Sequence, residues 1–157
     1  MKITLITVGT LKEDYLRRAM EEYVRRIGAY ATWEEINLKE EKLKDESPAS
    51  VDTALKAEGE RIVATIPKDA LAIALCVEGK QYSSEELAAL LGRGADEKGK
   101  VCLVIGSSWG LSEEVKRACH VRLSVSKMTF PHQLMRVILG EAIYRSLTIL
   151  KGKKYHK

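Results

Sequence analysis

Two stretches in the middle of the chain restrict its fold more than any other feature. Residues 70–77 and 100–105 are apolar in nearly unbroken runs, ended by Glu78-Gly79-Lys80 and by Gly106. A strand with one wet face alternates apolar and polar residues. A continuous run instead reads as a strand covered on both faces, which is the condition of strands in a parallel sheet.

The remaining elements fit around these two. Residues 3–8 read as a strand bounded by Gly9, and residues 32–38 as a second, less apolar one. Residues 11–30 have helical spacing, with Tyr15, Ala19, Tyr23 and Ile27 on one face. The charged run 39–50 reads as a loop and residues 51–66 as another amphipathic helix. Ser83 to Glu86 offers a capping box for a short helix, followed by a glycine-containing charged loop over 92–99. Ser112 is placed to cap a helix over 113–119, and residues 121–125 form the last strand. Strands alternating with helices predict a single α/β domain over 1–157, a mainly parallel sheet flanked by helices. Ligands in such sheets sit beyond the C-terminal strand ends. That points to residues 78–80, 106–110 and 126–130.

The last helix, expected over 130–150, is apolar almost all round: Met135, Leu139, Ala142, Ile143, Ile149 and Leu150 form one stripe and Leu134 and Ile138 border it, while Val137, Tyr144 and Leu147 lie opposite. Such a helix needs cover on nearly every side. A second copy of the chain would supply it, so a homodimer is expected; the alternative is a helix deep in a monomer core.

Several function classes are excluded. No GxxxxGK[ST] phosphate loop and no GxGxxG dinucleotide fingerprint is present. No apolar stretch is long enough to span a membrane. The three cysteines show no CxxC spacing, so neither a disulfide framework nor a metal site is expected, and Cys76 and Cys102 read as buried thiols of a cytoplasmic protein. The net charge of +4 permits a polyanionic partner without requiring one.

Two segments carry chemistry. The run Ser124-Val125-Ser126-Lys127-Met128-Thr129-Phe130-Pro131-His132 leaves a strand, forms a polar loop and meets a proline suited to a helix start. The terminal Lys151-Gly152-Lys153-Lys154-Tyr155-His156-Lys157 joins a stacking ring and an imidazole to phosphate-attracting charge. By themselves these leave a non-catalytic RNA-binding factor and a nucleotide-binding enzyme as open alternatives.

Together with Val8-Gly9-Thr10, Glu21-Glu22-Tyr23, Leu75 with Glu78-Gly79-Lys80, Ile105-Gly106, Gly110-Leu111-Ser112, Arg136-Val137, Glu141 and Tyr144-Arg145, these segments resemble the large-subunit (23S) ribosomal RNA pseudouridine N3-methyltransferases of the SPOUT superfamily. The similarity spans essentially the whole chain. It implies an α/β knot, in which the C-terminal segment threads a loop as a trefoil, and a homodimer that completes the active site with its C-terminal tail. It further implies S-adenosylmethionine as cofactor, wrapped by Leu75, Gly106, Val125, Ser126, Lys127, Met128, Thr129 and Phe130, and ribosomal RNA as partner. His156 is then the leading proton acceptor for N3 of the target base and Tyr155 orients that base. Lys157 and Arg136 hold phosphate or stabilise the imidate, and His132 is a secondary polar contact. The chain departs from the family at Ser107, where a second glycine is usual, and at Trp109, a bulkier residue than usual. Ser107 is the one feature that favours the non-catalytic alternative.

Overall fold

A computed structural model describes residues 1–155. The elements run β1 (Lys2–Val8), α1 (Asp14–Ile27), β2 (Thr32–Leu38), α2 (Pro48–Thr65), β3 (Leu71–Gln81), α3 (Ser84–Lys98), β4 (Lys100–Ile105), α4 (Glu113–Ala118), β5 (Val121–Ser124) and α5 (His132–Leu150). The strands form one sheet in the order β2-β1-β4-β3-β5, and every pairing is parallel. The two apolar runs, β4 and the first half of β3, lie side by side inside it.

The period of two along each strand builds two cores. Ile3, Leu5, Leu103 and Ile73 point to the side covered by α1, α3 and α5, where they meet Met20, Leu91, Leu139 and Ile143. Ile6, Val8, Cys102 and Val104 point to the side of α2 and α4, where they meet Ile62 and Val115. On α1 the buried stripe is Leu16, Met20 and Ile27. The predicted stripe is therefore off by one position at its start, because Tyr15 is 64% exposed.

Three local expectations are corrected. Residues 92–98 continue α3. Gly94 sits there because a Cβ would stand 2.6 Å from Leu71 Cδ2, so the glycine marks a close helix–strand contact. The strand β3 does not end at Val77: pairing with β5 breaks between Leu75 and Lys80, both of which face Leu123, and then resumes. Gly79 permits this, since a Cβ there would lie 2.7 Å from the Leu123 carbonyl carbon. The last helix starts at His132, with Pro131 extended before it.

The helix ends follow their sequence signals. The Ser83 hydroxyl accepts from the Glu86 N–H at 3.1 Å while the Glu86 carboxylate accepts from the Ser83 N–H at 2.7 Å, closing the capping box. The Ser112 hydroxyl caps α4 through the Val115 N–H.

The helix α5 lies between α1 and α3, which bury Leu139, Ile143 and Leu147 within the chain's own core. Leu134, Ile138 and Ala142 stay half-buried. Part of the cover expected from a second copy is thus supplied by the chain itself.

Candidate functional site

The C-terminal ends of β3, β4 and β5 surround a cavity of about 730 Å³. Three segments form it: residues 75–78 from the break in β3, residues 105–111 after β4, and residues 123–132 after β5. Met135 from the first turns of α5 and Lys116 from α4 close the remaining sides.

Of the predicted cofactor residues, Leu75, Gly106, Val125, Ser126, Met128, Thr129 and Phe130 line this cavity, and Lys127 does not. The backbone turns tightly at Gly106, where a Cβ would lie 2.0 Å from the Gly110 carbonyl oxygen. Only glycine fits. The following turn is closed by the Gly110 N–H donating to Ser107 O at 2.9 Å, with Gly110 at φ +86°. After β5, the Ser124 hydroxyl donates to Ser126 O at 2.9 Å and the Ser126 hydroxyl accepts from the Met128 N–H at 3.0 Å. The wall is therefore held by short local bonds, and most of its cavity face is backbone and apolar side chain.

Ser107, the departure from the family pattern, turns its hydroxyl away from the cavity. It donates at 2.9 Å to the buried Glu58 carboxylate of α2, whose other oxygen accepts from the Glu41 N–H at 3.0 Å. The serine thus ties the cavity loop to α2 rather than filling the cavity. The feature that favoured a non-catalytic module loses its force.

Charge at the site is nearly balanced. Lys116, mostly buried, is paired with Glu78 and with Glu113 at 3.0 Å, and both carboxylates are held below their usual range chiefly by that ammonium. Burial, then the nearby Arg136 guanidinium, lowers the pKa of His132 against an opposing pull from Glu40. A neutral imidazole therefore lines the cavity at physiological pH, able to accept a proton. Cys76 also lines the cavity and is only half-buried, not the core thiol expected; burial raises its pKa, and that of Cys102 to about 12, so both stay un-ionised. No cluster able to hold a metal ion occurs among the described residues.

Arg136 lies elsewhere. It is 0% exposed and donates to Val8 O at 3.0 Å, Gly9 O at 2.9 Å and Asn37 Oδ1 at 3.1 Å, with Glu35 at 3.6 Å. It therefore does not reach solvent or phosphate; it fastens α5 to the ends of β1 and β2. Burial lowers the Arg136 pKa and raises that of Glu35, the two charges partly offsetting each other's desolvation.

Tyr155 packs edge-on against Tyr144, with ring centroids 4.8 Å apart, under the Arg145 guanidinium, and its hydroxyl is 3.4 Å from Glu141. Glu141 is six residues beyond Met135, the last α5 residue on the cavity wall, about 9 Å along a helix axis at 1.5 Å per residue. Tyr155 is thus not on its own chain's cavity. His156 and Lys157 lie outside the described residues.

Nothing in the sequence marked Lys116, Met135 or Glu58 as belonging to the site. Their roles depend on which elements the sheet order brings together.

A family model described as predicted SPOUT methyltransferase matches residues 1–156. Over 159 aligned residues the chain is 48% identical to the ribosomal RNA large subunit methyltransferase H of Exiguobacterium sibiricum and 47% identical to that of Bacillus pumilus, with full coverage of both partners in each case. Among solved structures, a probable methyltransferase from Bordetella pertussis superposes with a TM-score of 0.55 at 18% identity, covering 93% of this chain and 96% of that one. That likeness concerns the fold.

Proposed function

The chain belongs to the SPOUT methyltransferase family, and from that premise we propose that it methylates N3 of a pseudouridine in 23S ribosomal RNA, using S-adenosylmethionine. On this reading it acts in the cytoplasm as a single-domain homodimer, with the knotted C-terminal path that the resemblance implies. The curated relatives' names, at nearly half identity over full length, support the ribosomal RNA substrate. No helix among the described residues is long and apolar enough to cross a membrane.

The observation that carries the reading is the cavity at the strand ends, where seven of the eight predicted cofactor residues meet. The fit is supported by the tight turn at Gly106, which keeps side chains off that wall, and by the Ser124 and Ser126 hydroxyls, whose local bonds hold the 124–128 backbone in place along the cavity. Leu75, Gly106, Val125, Ser126, Met128, Thr129 and Phe130 would hold the cofactor; Lys127 would attract phosphate from outside the cavity. When bound, S-adenosylmethionine supplies an electrophilic methyl on a sulfonium sulfur.

The chain's residues do the rest. The target N3 is an imide nitrogen whose proton must leave for the nitrogen to attack, so the site needs positioning and a proton acceptor. His156 remains the leading acceptor on the resemblance; His132, neutral on the cavity wall, is the second. Because Tyr155 packs on Tyr144 and Glu141 and is not among the residues lining its own chain's cavity, the tail of one protomer would serve the cavity of its partner. Tyr155 then orients the base and Lys157 holds phosphate. Arg136 contributes by positioning α5, a role its burial supports in place of the phosphate contact expected from sequence.

The test is methyl transfer to purified large ribosomal subunits, followed by mass spectrometry of the digested RNA. One methylated pseudouridine is expected, lost on removal of residues 155–157 and reduced by about 10²–10⁴-fold in His156→Ala. RNA left unmethylated by the wild-type chain refutes the function. Full activity in the truncated chain refutes the tail's role.

A further inference from the structure

Large apolar side chains are rarely left in water without a use when they gather in one place. Val77, Trp109, Val125 and Met128 are all exposed, the last at 68%, and all four stand on the cavity's lining segments. Trp109 is 43% exposed. Its neighbours Val77 and Val125 come from the two other walls, so the four form an apolar rim rather than a single protruding residue.

The way Trp109 is mounted separates it from an ordinary loop side chain. It is the third residue of the Ser107–Gly110 turn, which is closed by the Gly110 N–H bond to Ser107 O. One corner of that turn is tied to α2 by the Ser107–Glu58 bond. The other corner is pressed against Gly106, with no room for even a methyl between them. A rigid mount removes the entropy cost of ordering the ring when something stacks on it. Ser107 and Trp109 thus act as one device: a fastening and the surface it holds.

We propose that Trp109 is a stacking platform for an unpaired base of the RNA substrate, and so a determinant of RNA affinity and base presentation. This rests on the ribosomal RNA reading above. An aromatic face takes any base, and the phosphates beside it need cations. Lys127 and Lys80 supply them: Lys127 is exposed on the 123–132 segment, Lys80 is exposed two residues beyond the 75–78 segment with its ammonium 4.8 Å from the Tyr82 ring, and neither has an ion pair among the described residues. The paired Lys116 on the cavity's inner wall contrasts with these two. The inner wall is built for a ligand of balanced charge, the rim for an anionic, aromatic one.

The chain has two tryptophans, Trp33 and Trp109. Trp33 lies away from the cavity, so Trp33→Phe leaves a protein whose emission reports Trp109 alone. Oligouridylate should quench that emission, and S-adenosylmethionine alone should leave it nearly unchanged. Trp109→Ala should raise KM for large ribosomal subunits roughly 5- to 150-fold, the equivalent of one lost base stack, with cofactor Kd within about twofold of wild type. Trp109→Phe, which keeps a ring, should recover most of the affinity. An unchanged KM in Trp109→Ala overturns the proposal. So does weakened cofactor binding with unchanged KM for RNA, which would assign the ring to the cofactor's adenine. Equal loss of both, with phenylalanine no better than alanine, would mark collapse of the loop and also overturn it. Wild-type protein that does not methylate the subunits removes the functional reading and the proposal with it; a wild-type enzyme that does, beside an indifferent Trp109→Ala, removes the proposal alone.

Discussion

Gly106→Ala is the smallest change that should empty the cofactor site. The added Cβ would lie 2.0 Å from the Gly110 carbonyl oxygen, 2.5 Å from the Gly110 carbonyl carbon and 3.0 Å from Leu111 Cδ2. Carbon and carbonyl oxygen approach to about 3.3 Å at closest, so one limb of the loop must retreat by about 1.3 Å. The obstacle is backbone and cannot rotate aside. The turn is also tethered through Ser107 to Glu58, so the movement must spread along residues 107–111. Misplacement of about 1 Å costs on the order of 10²-fold in rate at a catalytic site; a loss of the same size in cofactor affinity, about 2.7 kcal/mol, is the expectation here. Titration calorimetry with S-adenosylmethionine measures this directly. The comparison is Gly99→Ala, where φ is +68° and a Cβ would meet nothing. That variant should lose about 1 kcal/mol of stability from backbone strain and keep its affinity. A Gly106→Ala protein that binds within threefold of wild type would show that the loop is not the cofactor cradle.

Three other outcomes are expected. Arg136→Met should lower unfolding free energy in urea by about 3–5 kcal/mol, because Val8 O, Gly9 O, Asn37 and Glu35 lose a buried partner; a loss below 1 kcal/mol contradicts the fastening role. His132 ionises below its ordinary 6.5 in the folded chain, so the unfolded chain binds the proton first and stability falls as pH drops from about 6.5 through the folded value. His132→Asn should flatten that segment of the pH–stability curve, and parallel curves for the two proteins would exclude it. Ile138→Asp, on the half-buried face of α5, should give a folded monomer by light scattering, whereas Leu139→Asp should unfold the chain, since Leu139 is wholly inside its core; a wild-type monomer at micromolar concentration refutes the dimer.

Legibility in the sequence followed the range of the interactions. The strand β2 over residues 32–38, the capping box at Ser83 and the Ser112 cap all depend on neighbours within a few positions, and all were readable. The helical stretch after Gly92 was hidden because Gly94 resembles a loop signal, whereas its cause is Leu71, which another strand brings against it. Arg136 misled for the same reason. The resemblance implied a phosphate contact for it, yet its acceptors lie at residues 8, 9 and 37, at the ends of β1 and β2 far away in the sequence. The cofactor walls were legible because each follows a strand, and strand ends were visible. The far position of Tyr155 was not, since it depends on where a helix of nineteen residues begins relative to the cavity.

The sheet order has a kinetic consequence. Its central pairing joins Lys2 to Lys100 and Thr7 to Ile105, about 98 residues apart, while the other pairings span about 30 to 50, so every pairing must close a loop of at least one intervening helix. Closing such loops comes before any reward from the contacts, which makes folding slow for the chain's size. On a ribosome, β1 would wait for two-thirds of the chain to be made before meeting β4. The cavity depends on β3, β4 and β5 being in register together, so no fragment of the chain can carry it. Ligand affinity in this protein is therefore a readout of completed folding, usable to count native molecules during refolding without any spectroscopic label.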